Sequence, residues 1–163
     1  MMKLYHGSNV PVEVPDLKHS KPDKDFGQGF YLSADRKQAV AMAEQKLSQI
    51  KSGSVYVSTF LFDETLMTSG ELKVKIFTDY SEEWANFVLA NRTRGNKPPV
   101  HDYDIVYGPI ADDGVTFQLR RYVGGVISLQ KLVEELHYIK GITFQYFFGT
   151  ERALKALKAL KRI

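Results

Sequence analysis

The chain is 163 residues long and 44% hydrophobic, which suits one globular domain spanning residues 1–163 with a sizeable buried core. Its 22 basic and 19 acidic residues leave a formal charge of +3, too small a surplus to predict nucleic-acid binding by itself. The absence of cysteine excludes a disulfide scaffold, a thiolate nucleophile and sulfur-ligated zinc.

The start, Met-Met-Lys-Leu-Tyr-His, has no apolar stretch of the kind a secretory signal needs, and no later apolar run approaches the ~20 residues of a spanning helix. A cytoplasmic protein away from membranes is the expectation. Tyr5-His6-Gly7-Ser8 comes first, then an irregular segment over 9 to 25 that carries Pro11, Pro15, Pro22 and alternating charges. Such a loop can border a site. Phe26-Gly27-Gln28-Gly29-Phe30-Tyr31-Leu32-Ser33 follows, and Ser33 is placed to cap a helix to about residue 52, with Ala39, Val40, Ala43, Leu47 and Ile50 on one face and Gly53 as its stop.

Residues 55 to 62 are β-branched and aromatic and 72 to 77 alternate strictly, so both read as strands. Asp79 with Glu82 fits a capping box before a helix over 81 to 92, with Trp84, Phe87 and Val88 on its core face. A strand over 103 to 107 breaks at Gly108-Pro109. The stretch 115 to 123 suits either element and favours a helix. Ser128 opens a helix to about 139, residues 142 to 148 read as a strand, and Thr150 caps a final helix whose Leu154, Leu157 and Leu160 form one stripe. The interleaving lacks βαβ regularity, so the expected class is α+β with a split, mostly antiparallel sheet and flanking helices.

Several chemistries lack their signatures. The four histidines, at 6, 19, 101 and 137, include no His-x-x-x-His pair for a metal. Gly27-Gln28-Gly29 leads into Phe-Tyr-Leu-Ser, which fits neither a Walker loop nor a dinucleotide fingerprint, and no Gly-x-Ser-x-Gly elbow exists. What remains is a histidine and a tyrosine close in sequence, His6 beside Gly7 and Tyr31 two residues after Gly29. A histidine offers one donor and one acceptor nitrogen for a diol, glycine permits close backbone approach, and a tyrosine face takes a flat ring.

Tyr5-His6-Gly7-Ser8, Gly29-Phe30-Tyr31-Leu32-Ser33 and Phe144-Gln145-Tyr146-Phe147 resemble the three motifs of the ADP-ribosyltransferase superfamily, in its His-Tyr-Glu, diphtheria-toxin-like branch. Over nearly its whole length the chain also resembles an uncharacterised bacterial family with Phe-Gly-x-Gly-Phe-Tyr, Trp-x-x-Phe-Val-x-x-Asn-Arg and Tyr-Asp-Ile-Val-x-Gly-Pro-Ile-Ala-Asp-Asp segments. The resemblance implies NAD as substrate. His6 would hold a hydroxyl of the nicotinamide ribose, the backbone of Gly7 would meet the carboxamide, Tyr31 would stack on the nicotinamide, and Gly29 and Phe30 would shape the same pocket. His6, Tyr31 and Gln145 are then the catalytic candidates. The acceptor would be a macromolecule, protein or nucleic acid, and a toxin held by an antitoxin is one implied setting.

Gln145 stands where the branch carries glutamate. An amide orients a hydroxyl but supplies neither a negative charge nor a general base. Asp112, Asp113 and Glu151 are candidates for that charge, with helix capping as the competing role of each. Asn91, Arg92 and Arg94 are candidates for a phosphate. Beside a transferase stand two other readings, a module of the same fold that holds NAD or ADP-ribose without turnover and a partner-binding protein that keeps only the fold.

Overall fold

The computed structural model describes residues 1–161 as an α+β protein with two sheets. Strand β1 (Met2–Ser8) pairs antiparallel with β3 (Tyr56–Phe62), which also carries the short β7 (Lys158–Ala159). The second sheet has the order β2, β6, β5, β4, formed by Phe30–Leu32, Phe144–Phe148, Ile105–Pro109 and Val74–Ile76. Its pairs are antiparallel except β4 with β5. One bridge joins the two sheets: Tyr5 and Ser33 exchange two backbone hydrogen bonds, each 2.8 Å long.

Period-two alternation along the second sheet builds two cores. Phe30, Leu32, Ile105 and Phe148 point toward Leu4, Phe60 and Phe62 of the first sheet, so one core lies between the sheets. Tyr31, Val106 and Phe147 point the other way, under α2 (Glu82–Arg92), α3 (Asp113–Val123) and α4 (Leu129–His137). Gln145 shares that second face with Phe147. Helix α1 (Arg36–Ile50) lies on the outer side of the first sheet, and Gly7 is what lets it close: a Cβ there would sit 1.8 Å from the carbonyl oxygen of Ala39.

Most elements follow the sequence signals, and the exceptions have physical causes. The Ser33 hydroxyl accepts from the Asp35 amide at 2.9 Å and donates to Gln38, so the helix starts later and Asp35 caps α1 by accepting from the Lys37 amide at 2.9 Å. Ser81, not Asp79, caps α2 through the Trp84 amide at 3.0 Å, while Asp79 accepts from its neighbour Tyr80. Strand β5 runs through Gly108-Pro109 because β4 has already ended at the partner of Tyr107, leaving no ladder bond there for a proline N–H to supply. Trp84 is fully buried, and its indole donates to the Pro109 carbonyl at 2.7 Å. The ambiguous stretch is helical, as α3, and α4 opens at Ser128.

The largest correction concerns the end of the chain. Thr150 does cap a helix, α5, but this spans only Glu151–Leu154 before the chain extends and adds β7 to the edge of β3. Leu160 donates to the Thr59 carbonyl at 2.9 Å, so backbone pairing to an open edge wins over the three-residue leucine spacing. Leu154 and Leu157 still pack on the core, whereas Leu160 is exposed.

Candidate functional site

The segment Phe26 to Tyr31 is held at both ends by histidines. Nδ1 of His6 donates to the Tyr31 carbonyl at 2.7 Å, and Nε2 of His101 donates to the Phe26 carbonyl at 2.6 Å. Within the segment, the Tyr31 hydroxyl donates to the Gly27 carbonyl at 2.6 Å and accepts from the Phe26 amide at 3.1 Å. Gly27 has a φ of +103°, which suits glycine. Gly29 lies against Phe147 and the Phe148 carbonyl, where a Cβ would come within 2.4 Å of the Phe147 ring. The glycines of this motif therefore let the loop turn and dock on β6.

His6 reaches Tyr31 because it lies on the inter-sheet face of β1, two residues from the buried Leu4, with its ring stacked on Phe30 at 4.2 Å. Burial, reinforced by the nearby Lys46 and Lys24 charges, lowers its pKa from 6.5 to about 4 against the opposing effect of its hydrogen bond to the Tyr31 carbonyl. His6 is thus neutral at pH 7. Since Nδ1 carries the proton given to a carbonyl, Nε2 presents a lone pair. Among the described residues Nε2 has no protein partner, and it keeps contact with solvent.

A cleft of about 470 Å³ opens beside Tyr31. Tyr31 and Gln145 contribute to its floor, Met42 and Gln45 of α1 form one wall, and Lys21, Asp23, Lys24, Asp25, Arg92, Ile110 and Ala111 close the rest. Gln145 is only 2% exposed, with its amide nitrogen against the Met42 sulfur. Burial pushes the Tyr31 phenol well above its usual pKa, so it remains a neutral ring with a protonated hydroxyl. Over that ring lies Nζ of Lys24, 4.9 Å from the centroid.

The sequence candidates separate in space. Tyr31, Gln145 and Arg92 line the cleft together, and His6 is tied to it through the Tyr31 carbonyl. Asp112 caps α3 by accepting from the Val115 amide at 3.0 Å, Asp113 lies in the first turn of that helix, and Glu151 lies exposed in the first turn of α5. None of these three lines the cleft. Asn91 is buried and donates to the Phe87 carbonyl at 2.8 Å, and it lines with Arg94 a second hollow of about 380 Å³ on the His101 side of the loop.

The carboxylates that do line the cleft are Asp23 and Asp25, from the irregular segment. Asp25 accepts from Arg92 Nε and from the Ala111 amide, both at 2.7 Å, and so ties the loop to α2 and to the chain leaving β5. The visible signal for this was the charged run Lys21-Pro22-Asp23-Lys24-Asp25 directly before the Phe-Gly-Gln-Gly motif. Nothing local marked which charge would turn inward.

Together these features define an α+β protein with a charged cleft lined by a buried tyrosine and a buried glutamine, the tyrosine's carbonyl being held by a neutral histidine that does not itself line the cleft. The chain belongs to the family described as Protein of unknown function (DUF3990), which matches residues 2–159. No curated protein sequence matches it. No described helix is long and apolar enough to cross a membrane.

Proposed function

We propose that the cleft binds NAD and that the protein is an ADP-ribosyltransferase acting on a macromolecular acceptor, with the two sheets forming the split arrangement of that fold. The observation that carries this reading is the joint placement of Tyr31 and Gln145 in one cleft, with His6 anchored to the Tyr31 carbonyl. The residues suit the ligand. The neutral Nε2 of His6 accepts from a ribose hydroxyl, the Tyr31 ring offers a flat uncharged face to the nicotinamide, and the Gln145 carbonyl orients a second hydroxyl. Arg92 and Lys24 supply positive charge for the diphosphate, and Asp23 or Asp25, rather than Asp112, Asp113 or Glu151, supplies negative charge near a ribosyl centre that becomes cationic as nicotinamide leaves.

The test is labelled NAD incubated with the protein and a bacterial lysate. Labelled product and released nicotinamide are expected, both lost in His6→Ala; if neither forms with the unaltered protein, the transferase reading fails. One observation favours a second reading, a binding module without turnover: the cleft floor carries a buried neutral amide where catalysis by this branch would use a carboxylate. NAD binding by calorimetry without nicotinamide release, persisting in Gln145→Glu, would select it.

A further inference from the structure

The face on which a ligand ring would stack is already covered by the chain itself. Lys24 places its ammonium 4.9 Å from the Tyr31 centroid, and both residues line the same cleft. The aromatic neighbours of the Tyr31 ring are Phe26 and Phe147, members of the same buried core. Lys24 makes no ion pair within 4 Å among the described residues, although Asp25 and Asp23 act on its charge, and its ammonium lies over the Tyr31 ring. A cation over a ring in a partly desolvated setting is a real attraction that an incoming flat ligand must replace.

The segment bearing Lys24 is pinned on both sides. Gln28 donates to the Ser20 carbonyl at 3.0 Å and the Gly29 amide donates to the Ser20 hydroxyl at 2.8 Å, while Asp25 is held by Arg92 and Ala111. The Lys24 carbonyl itself accepts from the Gly27 amide at 3.0 Å. With its backbone fixed, uncovering Tyr31 requires rotation of the flexible lysine side chain alone. Where that ammonium can go is set by charge: burial and the neighbouring Lys46 of α1 and Lys21 disfavour its charged form while Asp25 and Asp23 favour it, so a phosphate held nearer to Lys24 and Lys46 than to the two carboxylates meets net positive charge.

We propose that Lys24 is an internal ligand of Tyr31 and a specificity-determining residue: a planar ring stacks on Tyr31 only as the ammonium swings onto a phosphate of the same ligand. The cleft thereby selects phosphorylated nucleotides over bare nucleosides. This inference rests on the reading of the cleft as an NAD site. Nicotinamide riboside must displace Lys24 without offering it a phosphate, whereas NAD displaces it and pairs with it.

The experiment compares the unaltered protein with Lys24→Met and Lys24→Arg, using calorimetry with NAD and with nicotinamide riboside and side-chain NMR of Lys24 in the free protein. The Lys24 methylene protons are expected upfield from the Tyr31 ring current, returning toward ordinary positions as NAD is added. Lys24→Met should bind nicotinamide riboside about two- to fivefold more tightly and NAD about tenfold more weakly. Lys24→Arg, which keeps the charge, should retain the preference for NAD. An unchanged ratio of the two affinities in Lys24→Met, or Lys24 methylenes without a ring-current shift, overturns the inference while NAD binding itself stands. Failure of both ligands to bind any of the three proteins overturns the NAD reading and this inference with it.

Discussion

His6 and His101 hold the two ends of one segment by the same kind of bond, a ring N–H to a main-chain carbonyl, yet they leave the protein with different chemistry. His101 spends both nitrogens on the fold, because its Nδ1 also accepts from the Tyr103 amide at 3.1 Å while its ring packs among Phe87, Tyr103 and Phe147. His6 spends one and keeps the other facing solvent. Two equivalent anchors thus divide into a structural residue and a group with an unused acceptor, and the division depends on what surrounds the second nitrogen.

The widest separation is expected on stability. His101→Ala removes two hydrogen bonds and an aromatic contact set, a loss of about 3 kcal/mol in urea unfolding. NAD affinity should then change little under conditions where the variant is folded; a variant as stable as the parent but unable to bind would reverse the two roles.

Acid should act on both histidines in the same sense. Each has a folded pKa below its ordinary value, burial being the chief cause, so the unfolded chain takes up protons before the folded one does. Stability should be complete above pH 6.5 and fall as the pH drops toward 4, with His6 contributing up to about 3 kcal/mol of that loss. In His6→Gln the slope over this window should shrink; an identical slope would mean that His6 is protonated in the native protein.

Tyr31→Phe tests the frame between the two histidines. It removes the hydroxyl that bridges Gly27 and Phe26 but keeps the ring, so a loss of about 1–2 kcal/mol in thermal unfolding is expected with ligand stacking retained. The smallest effect should be that of His6→Ala on NAD affinity, a decrease of about tenfold, the scale of one hydrogen bond to a hydroxyl. His101→Ala should not reproduce it.

Local signals were read well where local physics decided the outcome. Ser128 and Thr150 cap helices because a serine or threonine oxygen needs only the amides of the following turn, and Trp84 is core because its helix neighbours share its face. The signals missed by two residues where a neighbouring side chain made the capping bond, Asp35 in place of Ser33 and Ser81 in place of Asp79, and they misled where a distant partner competed, as the leucine spacing after Leu154 yielded to the open edge of β3. Of the residues that the motifs single out, Tyr31 and Gln145 line the cleft, while Asp112, Asp113 and Glu151 are helix-terminal residues outside it.

The order of residues alone determined the α+β alternation, most helix starts and the pairing of a histidine with a tyrosine beside glycines, since these rest on periodicity and on bonds within a few positions. Only the tertiary structure decided that Asp25 and Arg92 would close the cleft wall, that Lys24 would cover Tyr31, and that His6 would be neutral with one nitrogen to spare. Those outcomes depend on burial and on charges brought together across 67 positions of sequence in the Asp25–Arg92 pair alone, and long-range desolvation leaves no periodic trace in a chain.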